Sequence, residues 1–223
     1  MTALLDIDMN YTDIVSAINE SGNADRVEFI AVSKFQPVEK IKILLEKGHR
    51  SFAESRVEEA VEKWTTLKEE YPDVRLHFIG GIQSKKIKKI VSFFDVIQSV
   101  DRLSVAEKIA DEIEATQKPI ECLIQVNIGK EDQKSGVQIE DLGDLYQKLN
   151  ERLPGRVSGF MCIPPNNEPP AVFFKEMVKL KEIYGVGNLS MGMSADYRVA
   201  LENGSTMLRV GSMIFGERNS HKE

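Results

Sequence analysis

The apolar positions of this chain fall into two patterns that alternate from one end to the other. Short continuous apolar runs, such as 29–33 (FIAVS), are typical of strands that are buried on both faces. Each run precedes a longer stretch in which apolar residues recur three and four positions apart, as expected for a helix. A stretch of the second kind, 4–18, comes before the first run and predicts an additional N-terminal helix.

Eight strand–helix alternations are predicted from these patterns. The predicted strands are 29–33, 51–53, 76–80, 94–100, 121–128, 157–161, 188–192 and 207–211. Because alternating strands and helices require a parallel sheet, eight repeats within roughly 200 residues favour closure into a barrel. The predicted fold is α/β: a (β/α)8 TIM barrel with an extra N-terminal helix, forming one domain over residues 1–223.

Composition and charge narrow the possible functions. The 35 acidic and 29 basic side chains leave a net charge of −6, which argues against non-specific binding to nucleic acid or to an anionic membrane. No stretch approaches the roughly 20 apolar residues of a membrane span, and the N-terminus does not resemble a signal peptide, so a cytoplasmic protein is expected. Cys122 and Cys162 lie far apart, which gives no support for a zinc site or a redox pair.

Lys34 follows the first predicted strand, at the end where barrels of this type carry their sites. Strand parity puts Ile30, Val32 and Lys34 on the same side. If that side is the interior, Lys34 rises from an apolar floor, where burial lowers the pKa of an amine and exposes its lone pair for attack on an aldehyde. The alternative is a lysine that simply extends into solvent at the end of a strand.

The last predicted strand places a second charged side chain at the same end. An inward-facing Arg209 requires an acceptor, because an unpaired charge in a barrel interior is very costly. Gly211 and Ser212 stand at the tip of this strand, and Ser194 follows the seventh. Small residues and hydroxyls after the last two strands are typical of the phosphate sites of such barrels.

An amine, a guanidinium and an anion-binding rim are therefore predicted to meet at one end of the barrel. Pyridoxal 5′-phosphate (PLP) carries an aldehyde, a basic ring nitrogen and a phosphate, and so matches all three groups. PLP is the predicted cofactor. A phosphosugar isomerase or aldolase is another possibility, in which Lys34 attacks a sugar carbonyl and Arg209 meets no ring nitrogen.

Five segments of the chain resemble the YggS/PROSC family. They are AVSKFQP, HFIGGIQSKK, QVNIGKEDQKSG, GFMCIPPNNE and LSMGMSADYRVALENGSTMLRVGSMIFGER. This family consists of PLP-binding homeostasis proteins that are related to the N-terminal domain of alanine racemase. The resemblance implies a barrel in which Lys34 forms a Schiff base with PLP and Arg209 faces the pyridine nitrogen. It also implies that Ser194, Gly211 and Ser212 contact the phosphate.

The same residues argue against fast turnover. A guanidinium can only donate hydrogen bonds, so it discourages protonation of the ring nitrogen and weakens the ring as an electron sink. Alanine racemase adds a tyrosine base from a second domain, which a chain of this length is not expected to contain. The expected protein is a PLP holder with little or no catalytic turnover. The alternative is a small monomeric PLP-dependent amino acid racemase.

The remaining expectations concern partners and individual side chains. PLP itself and PLP-dependent apoenzymes are the expected partners, and a monomer is expected because the racemase's second domain builds its dimer. Tyr197 is the tyrosine that the predicted order brings nearest the pocket, and packing is its expected role. His77 begins the third predicted strand, at the opposite end from the site, so a structural role is expected.

Overall fold

The computed structural model describes residues 2–216, with side chains from residue 6 onwards. Its strands are β1 (Glu28–Val32), β2 (Ser51–Glu54), β3 (Arg75–Phe78), β4 (Val96–Val100), β5 (Glu121–Val126), β6 (Val157–Cys162), β7 (Asn188–Ser190) and β8 (Met207–Val210). Its helices are α1 (Thr2–Glu20), α2 (Val38–Glu46), α3 (Val57–Glu70), α4 (Ile87–Phe93), α5 (Leu103–Thr116), α6 (Leu142–Arg152), α7 (Pro170–Tyr184), α8 (Tyr197–Glu202) and α9 (Ser212–Phe215). Short 3₁₀ turns lie at Ala24–Arg26, Ser84–Lys86 and Ile139–Asp141.

The eight strands form one closed parallel barrel in the order β1 to β8. The predicted (β/α)8 fold with an additional N-terminal helix is therefore confirmed. The first and last strands close the barrel, and their register places Ile30 beside Arg209. Residues near the two ends of the chain are thereby brought side by side.

Part of the barrel interior is an apolar floor. It is built from inward-facing residues of six strands: Ile30, Val32, Ala53, Val96, Leu123, Met161 and Met207. The alternate residues Phe29 and Ala31 face outward and join the larger core between the barrel and its helices. The side of β1 that carries Ile30 and Val32 is therefore the interior, which is the condition stated above for Lys34 to rise from an apolar floor.

The lower interior, at the amino ends of the strands, is polar. Arg75 forms ion pairs with Glu28 at 3.0 Å and with Glu121. Burial alone would raise the pKa of Glu28, but the hydrogen bond with His77 and the guanidinium of Arg75 lower it to about 2. His77 is buried in this region, away from the residues that line the pocket described below, as expected of a structural histidine.

Several predicted boundaries were wrong by a few residues, mostly where the chain leaves a strand for the upper rim. Strand β7 ends at Ser190, because Gly192 adopts a φ of +95°, which a continuing strand does not allow. Helix α8 begins only at Tyr197. In the turn that precedes it, Asp196 Oδ1 accepts the N–H of Met193 at 2.6 Å. Helices α4 and α6 are each preceded directly by a 3₁₀ turn, Ser84–Lys86 and Ile139–Asp141 respectively.

No helix in the described part of the chain is long and apolar enough to cross a membrane. Both cysteines are buried, and burial raises the pKa of each thiol to about 12. The two thiols are therefore protonated at neutral pH, and they act as small apolar residues of the barrel wall.

Candidate functional site

A cavity of about 320 Å³ opens at the carboxyl ends of the strands. This volume lies at the lower end of the range typical of small-molecule sites, about 300–1,000 Å³. Its walls are apolar and come from the floor residues Val32 and Met161 together with Ile79, Ile163 and Met193. All five predicted site residues line it: Lys34, Ser194, Arg209, Gly211 and Ser212.

Lys34 lies in the turn that follows β1, two residues beyond the last strand residue, Val32. It is half-buried, so its position is intermediate between the dry floor and the solvent. The next residue, Phe35, has a left-handed backbone with a φ of 62°. This conformation is unfavourable for a residue with a side chain, so the turn requires support from its surroundings.

That support comes from a cluster of charged side chains behind the turn. Glu59 Oε1 accepts the N–H of Phe35 at 2.5 Å, and Lys63 Nζ donates to the carbonyl of Ser33 at 2.8 Å. Lys63 also forms ion pairs with Glu59 at 2.8 Å and with Glu54 at 2.7 Å. The backbone on both sides of Lys34 is thereby held by side chains of α3.

Glu54 is a fully buried carboxylate at the centre of this cluster. Its Oε1 accepts hydrogen bonds from Ser33 Oγ at 2.7 Å and from Trp64 Nε1 at 3.1 Å. Burial raises its pKa above the ordinary value, although Lys63, Ser33 and Trp64 each act in the opposite direction. Lys63 is therefore the counter-charge that makes an ionised Glu54 tolerable in the core.

We expect Lys63→Met to lower the free energy of unfolding by about 3–5 kcal/mol at neutral pH, since it leaves the Glu54 charge buried without its partner. A carboxyl whose folded pKa is raised contributes its stability at low pH and loses it as the pH rises through that pKa. The loss caused by Lys63→Met should therefore shrink in acid. Urea unfolding at neutral and acidic pH measures both effects.

Lys179→Met is the matched control, because Lys179 pairs with Glu176 on an exposed helix face. Removing a surface pair of this kind costs about 0–1 kcal/mol at either pH. A loss in Lys63→Met as small as in this control would contradict the role of Lys63 as the counter-charge of Glu54.

Arg209 lies at the base of the cavity and is only 3% exposed. Its Nη1 donates to Ser190 Oγ at 2.5 Å, and its Nη2 donates to the carbonyl of Cys162 at 2.8 Å. Burial lowers the pKa of the guanidinium from its usual range. Among the side chains that the structure describes, no carboxylate forms an ion pair with it. The base of the cavity is therefore electropositive and suits a ligand with an acceptor or a negative charge.

The loops after β7 and β8 meet at the rim of the cavity. Ser194 Oγ accepts the N–H of Met213 at 3.2 Å, which ties the two loops together. A Cβ atom on Gly211 would approach the Cβ and carbonyl oxygen of Val32 to 3.1 Å, so glycine allows the tip of β8 to pack closely on β1. Backbone and hydroxyl donors of Ser194, Gly211 and Ser212 are thereby gathered beside the Lys34 turn.

The chemistry of these groups fits PLP. The cavity offers one primary amine, one guanidinium that is not ion-paired in the described chain, and a rim of small residues and hydroxyls. These complement an aldehyde, a basic ring nitrogen and a phosphate, respectively. Among the described residues, the lining contains no carboxylate, imidazole or phenol. Tyr197 is buried in the core outside the barrel, which agrees with its expected packing role.

The structure adds residues that the sequence patterns did not single out. Ser190 and Gln98 face inward beneath the pocket, and the hydroxyl of Ser190 connects Arg209 to the side chain of Gln98. The sequence did contain a signal for these two residues. Strand parity, applied to β4 and β7 as it was to β1, would have placed a polar side chain at an inward position of each strand.

Comparison with known proteins agrees with this geometry. Residues 8–219 match the family described as alanine racemase, N-terminal domain. The pyridoxal phosphate homeostasis protein of Vibrio alginolyticus is 38% identical over 206 residues, 87% of this chain and 88% of that protein. The protein of the same name from Aquifex aeolicus is 34% identical over 215 residues, 92% and 93% of the two chains.

Solved structures show the same similarity. PipY of Synechococcus elongatus PCC7942, solved with PLP bound, has a TM-score of 0.83 and 30% identity, and the match covers 94% of this chain and 100% of PipY. Alanine racemase of Clostridium difficile 630 has a TM-score of 0.76 at 16% identity, over 97% of this chain and 57% of that enzyme. The second match shows a shared fold only.

Fold and site together define a (β/α)8-barrel protein whose small-ligand pocket joins the first and last strands. Within this class, the chain belongs to the alanine racemase N-terminal domain family and, inside it, to the pyridoxal phosphate homeostasis proteins. The resemblance to the YggS/PROSC family is thereby confirmed.

Proposed function

We propose that this protein binds PLP reversibly and acts in PLP homeostasis, with Lys34 as the covalent attachment point. The observation that supports this role is the pocket itself, which combines Lys34, Arg209 and the Ser194–Gly211–Ser212 rim. Relatives named pyridoxal phosphate homeostasis proteins and a neighbour solved with PLP bound support the same ligand.

Each residue of the pocket has a distinct task in this proposal. The Lys34 amine attacks the aldehyde carbon, a C=N bond forms, and one water molecule leaves. Arg209 presents its remaining N–H groups to the ring nitrogen, and Ser194, Gly211 and Ser212 donate hydrogen bonds to the phosphate. When bound, PLP supplies the aldehyde and an electron-withdrawing ring.

The same pocket argues for storage and delivery with little or no turnover. Racemisation at a carbon atom removes a proton on one face and returns one on the other, which requires two acid–base groups. Among the described lining residues, Lys34 is the one group with the acid–base chemistry for this task. Arg209 remains protonated and serves only as a donor.

We further propose a single domain over residues 1–223 that acts as a cytoplasmic monomer and delivers PLP to apoenzymes. The half-buried position of Lys34 supports delivery, because water and an acceptor amine can reach the C=N bond from the pocket opening. A holder of this kind also keeps a reactive aldehyde away from other amines in the cell.

Borohydride trapping tests the proposal. Protein incubated with PLP should develop the visible absorption band of a C=N linkage, and reduction should fix the cofactor to one peptide, identified by its mass. We expect that peptide to contain Lys34. Pyridoxal without the phosphate should bind at least about tenfold more weakly, because the rim donors lose their anion. Labelling of a different lysine, or of none, would contradict the proposal.

Exchange at the α-carbon of amino acids distinguishes the proposed holder from the racemase alternative. If the protein is a holder, loss of deuterium from the α-carbon of alanine and other amino acids should be negligible with the PLP-loaded protein. Exchange at enzyme-like rates, about 1–10³ per second, would show instead that the pocket supports catalysis.

A further inference from the structure

A chain of buried hydrogen bonds runs from Arg209 across the interior of the barrel. Ser190 Oγ accepts from Arg209 Nη1 at 2.5 Å and donates to Gln98 Oε1 at 2.7 Å. Gln98 Nε2 lies 2.9 Å from His77 Nδ1, and His77 Nε2 lies 3.1 Å from Glu28 Oε1. Five side chains from β8, β7, β4, β3 and β1 are thus connected in sequence.

The Arg209 end of this chain determines the direction of the hydrogen bonds from Ser190 to His77. Arg209 can only donate, so Ser190 must accept from it and use its single proton for the carbonyl oxygen of Gln98. The amide nitrogen of Gln98 then donates to His77 Nδ1. On the other side of the ring, His77 Nε2 faces Glu28 Oε1 and Ser51 Oγ, each at 3.1 Å.

The members of this chain beneath Arg209 have almost no contact with solvent. Ser190, Gln98 and His77 are 0% exposed. Water therefore does not replace a lost partner readily, and a group without its partner would be left with an unsatisfied hydrogen bond in the interior. Arg209, Ser190 and Gln98 are each satisfied in this arrangement, which holds the Arg209 guanidinium at the base of the pocket.

We infer that Gln98 is a positioning residue for Arg209. It acts through Ser190 and does not touch the ligand: its carbonyl oxygen fixes the direction of the Ser190 hydroxyl, which in turn accepts from the guanidinium and directs the remaining N–H groups toward the cavity. The inference rests on the proposed function only in taking PLP as the ligand. The two hydrogen bonds by which Ser190 links Gln98 to Arg209 do not depend on the identity of the ligand.

Gln98→Met removes both amide groups with little change in volume. We expect the Kd for PLP to rise about tenfold, which is typical of losing a hydrogen-bonded partner behind a ligand-binding group. Gln125→Met is the matched control. Gln125 is also a buried glutamine of the barrel, but its amide donates to the carbonyl of Ser135, and it should bind PLP as wild type does.

A double-mutant cycle separates positioning from general support of the fold. If Gln98 acts through Arg209, then Gln98→Met should cause no further loss of PLP affinity in an Arg209→Met background. Additive losses would overturn the inference. Ser190→Ala breaks the same connection with a smaller change, and it should reproduce the loss of affinity if Gln98→Met does not fold.

A readout in the ligand-free protein keeps this test separate from the test of function. In ¹⁵N-labelled wild type, the guanidinium protons of Arg209 should exchange slowly with water, and they should exchange at least tenfold faster in Gln98→Met. Unchanged exchange in a folded variant would refute the positioning role. If wild type bound no PLP, the proposed function would fail, while the exchange rates would still decide the role of Gln98.

Discussion

Replacing Lys34 with alanine is expected to abolish covalent retention of PLP. The variant should lose the visible C=N absorption completely, and borohydride should fix no cofactor to it, because no other amine lies among the described residues that line the pocket. Residual non-covalent binding through Arg209 and the rim should be weaker by at least about 100-fold, about 2.7 kcal/mol. Absorption spectra and dialysis binding measure the two effects.

Lys85→Ala is the matched control for this experiment. Lys85 is an exposed lysine of the 3₁₀ turn Ser84–Lys86, so its loss removes one ammonium group without touching the pocket. The control should retain the full absorption band. Circular dichroism of both variants should match wild type, since Lys34 lies in a turn and not in the core. A Lys34→Ala protein that kept the band would place the attachment elsewhere.

Gly192→Ala is expected to lower the stability of the protein through both backbone strain and overpacking. The residue has a φ of +95°, and a Cβ atom there would come within 2.5 Å of Ala200 Cβ and 2.9 Å of Leu208 Cδ2. Backbone strain of about 1–2 kcal/mol and overpacking of about 1–3 kcal/mol predict a total loss of about 2–5 kcal/mol. Urea denaturation measures this change.

PLP binding should weaken in the same variant. The carbonyl of Gly192 accepts the N–H of Arg209 at 3.0 Å, and Ser194 follows two residues later. Displacing Gly192 therefore moves both the base of the pocket and its rim. We expect the loss of affinity to be larger for PLP than for pyridoxal, because the phosphate meets the displaced rim.

Gly155→Ala isolates the contribution of the clash. Gly155 also has a positive φ, +74°, but a Cβ atom there would have no heavy atom within 4 Å. This variant should lose only the backbone contribution of about 1–2 kcal/mol. If the two variants were equally stable, the close packing of Gly192 against α8 and β8 would have no energetic importance.

The sequence predicted the barrel and the five pocket residues because both depend on short-range patterns. Alternation of apolar runs with helical stretches defines the strands, and parity within β8 puts Arg209 on one face of its strand. Lys34 follows the carboxyl end of β1, where the sites of such barrels lie. The register of Ile30 beside Arg209 shows why two residues so distant in sequence share a pocket. Their binding roles remain predictions for the experiments above.

The support behind the pocket could not be predicted, because it depends on pairings between distant elements. Glu54 points out of the barrel into the core, where a carboxylate is unfavourable, and its counter-charge Lys63 comes from a different element, α3. The Gln98–Ser190 contact joins β4 to β7 across the interior. The left-handed backbone of Phe35 has no local signal, since glycine or asparagine would be the usual residue there.

The pairing of β1 with β8 also determines when the pocket is completed during synthesis. Lys34 is translated early, but Arg209 arrives only with the last strand, about 175 residues later, at a synthesis rate of roughly 5–20 residues per second. Nearly all of the polypeptide must therefore emerge from the ribosome before the two halves of the pocket meet. If both residues bind PLP as proposed, a nascent chain cannot capture it until the final strand has docked, and the ligand would stabilise the finished barrel without nucleating it.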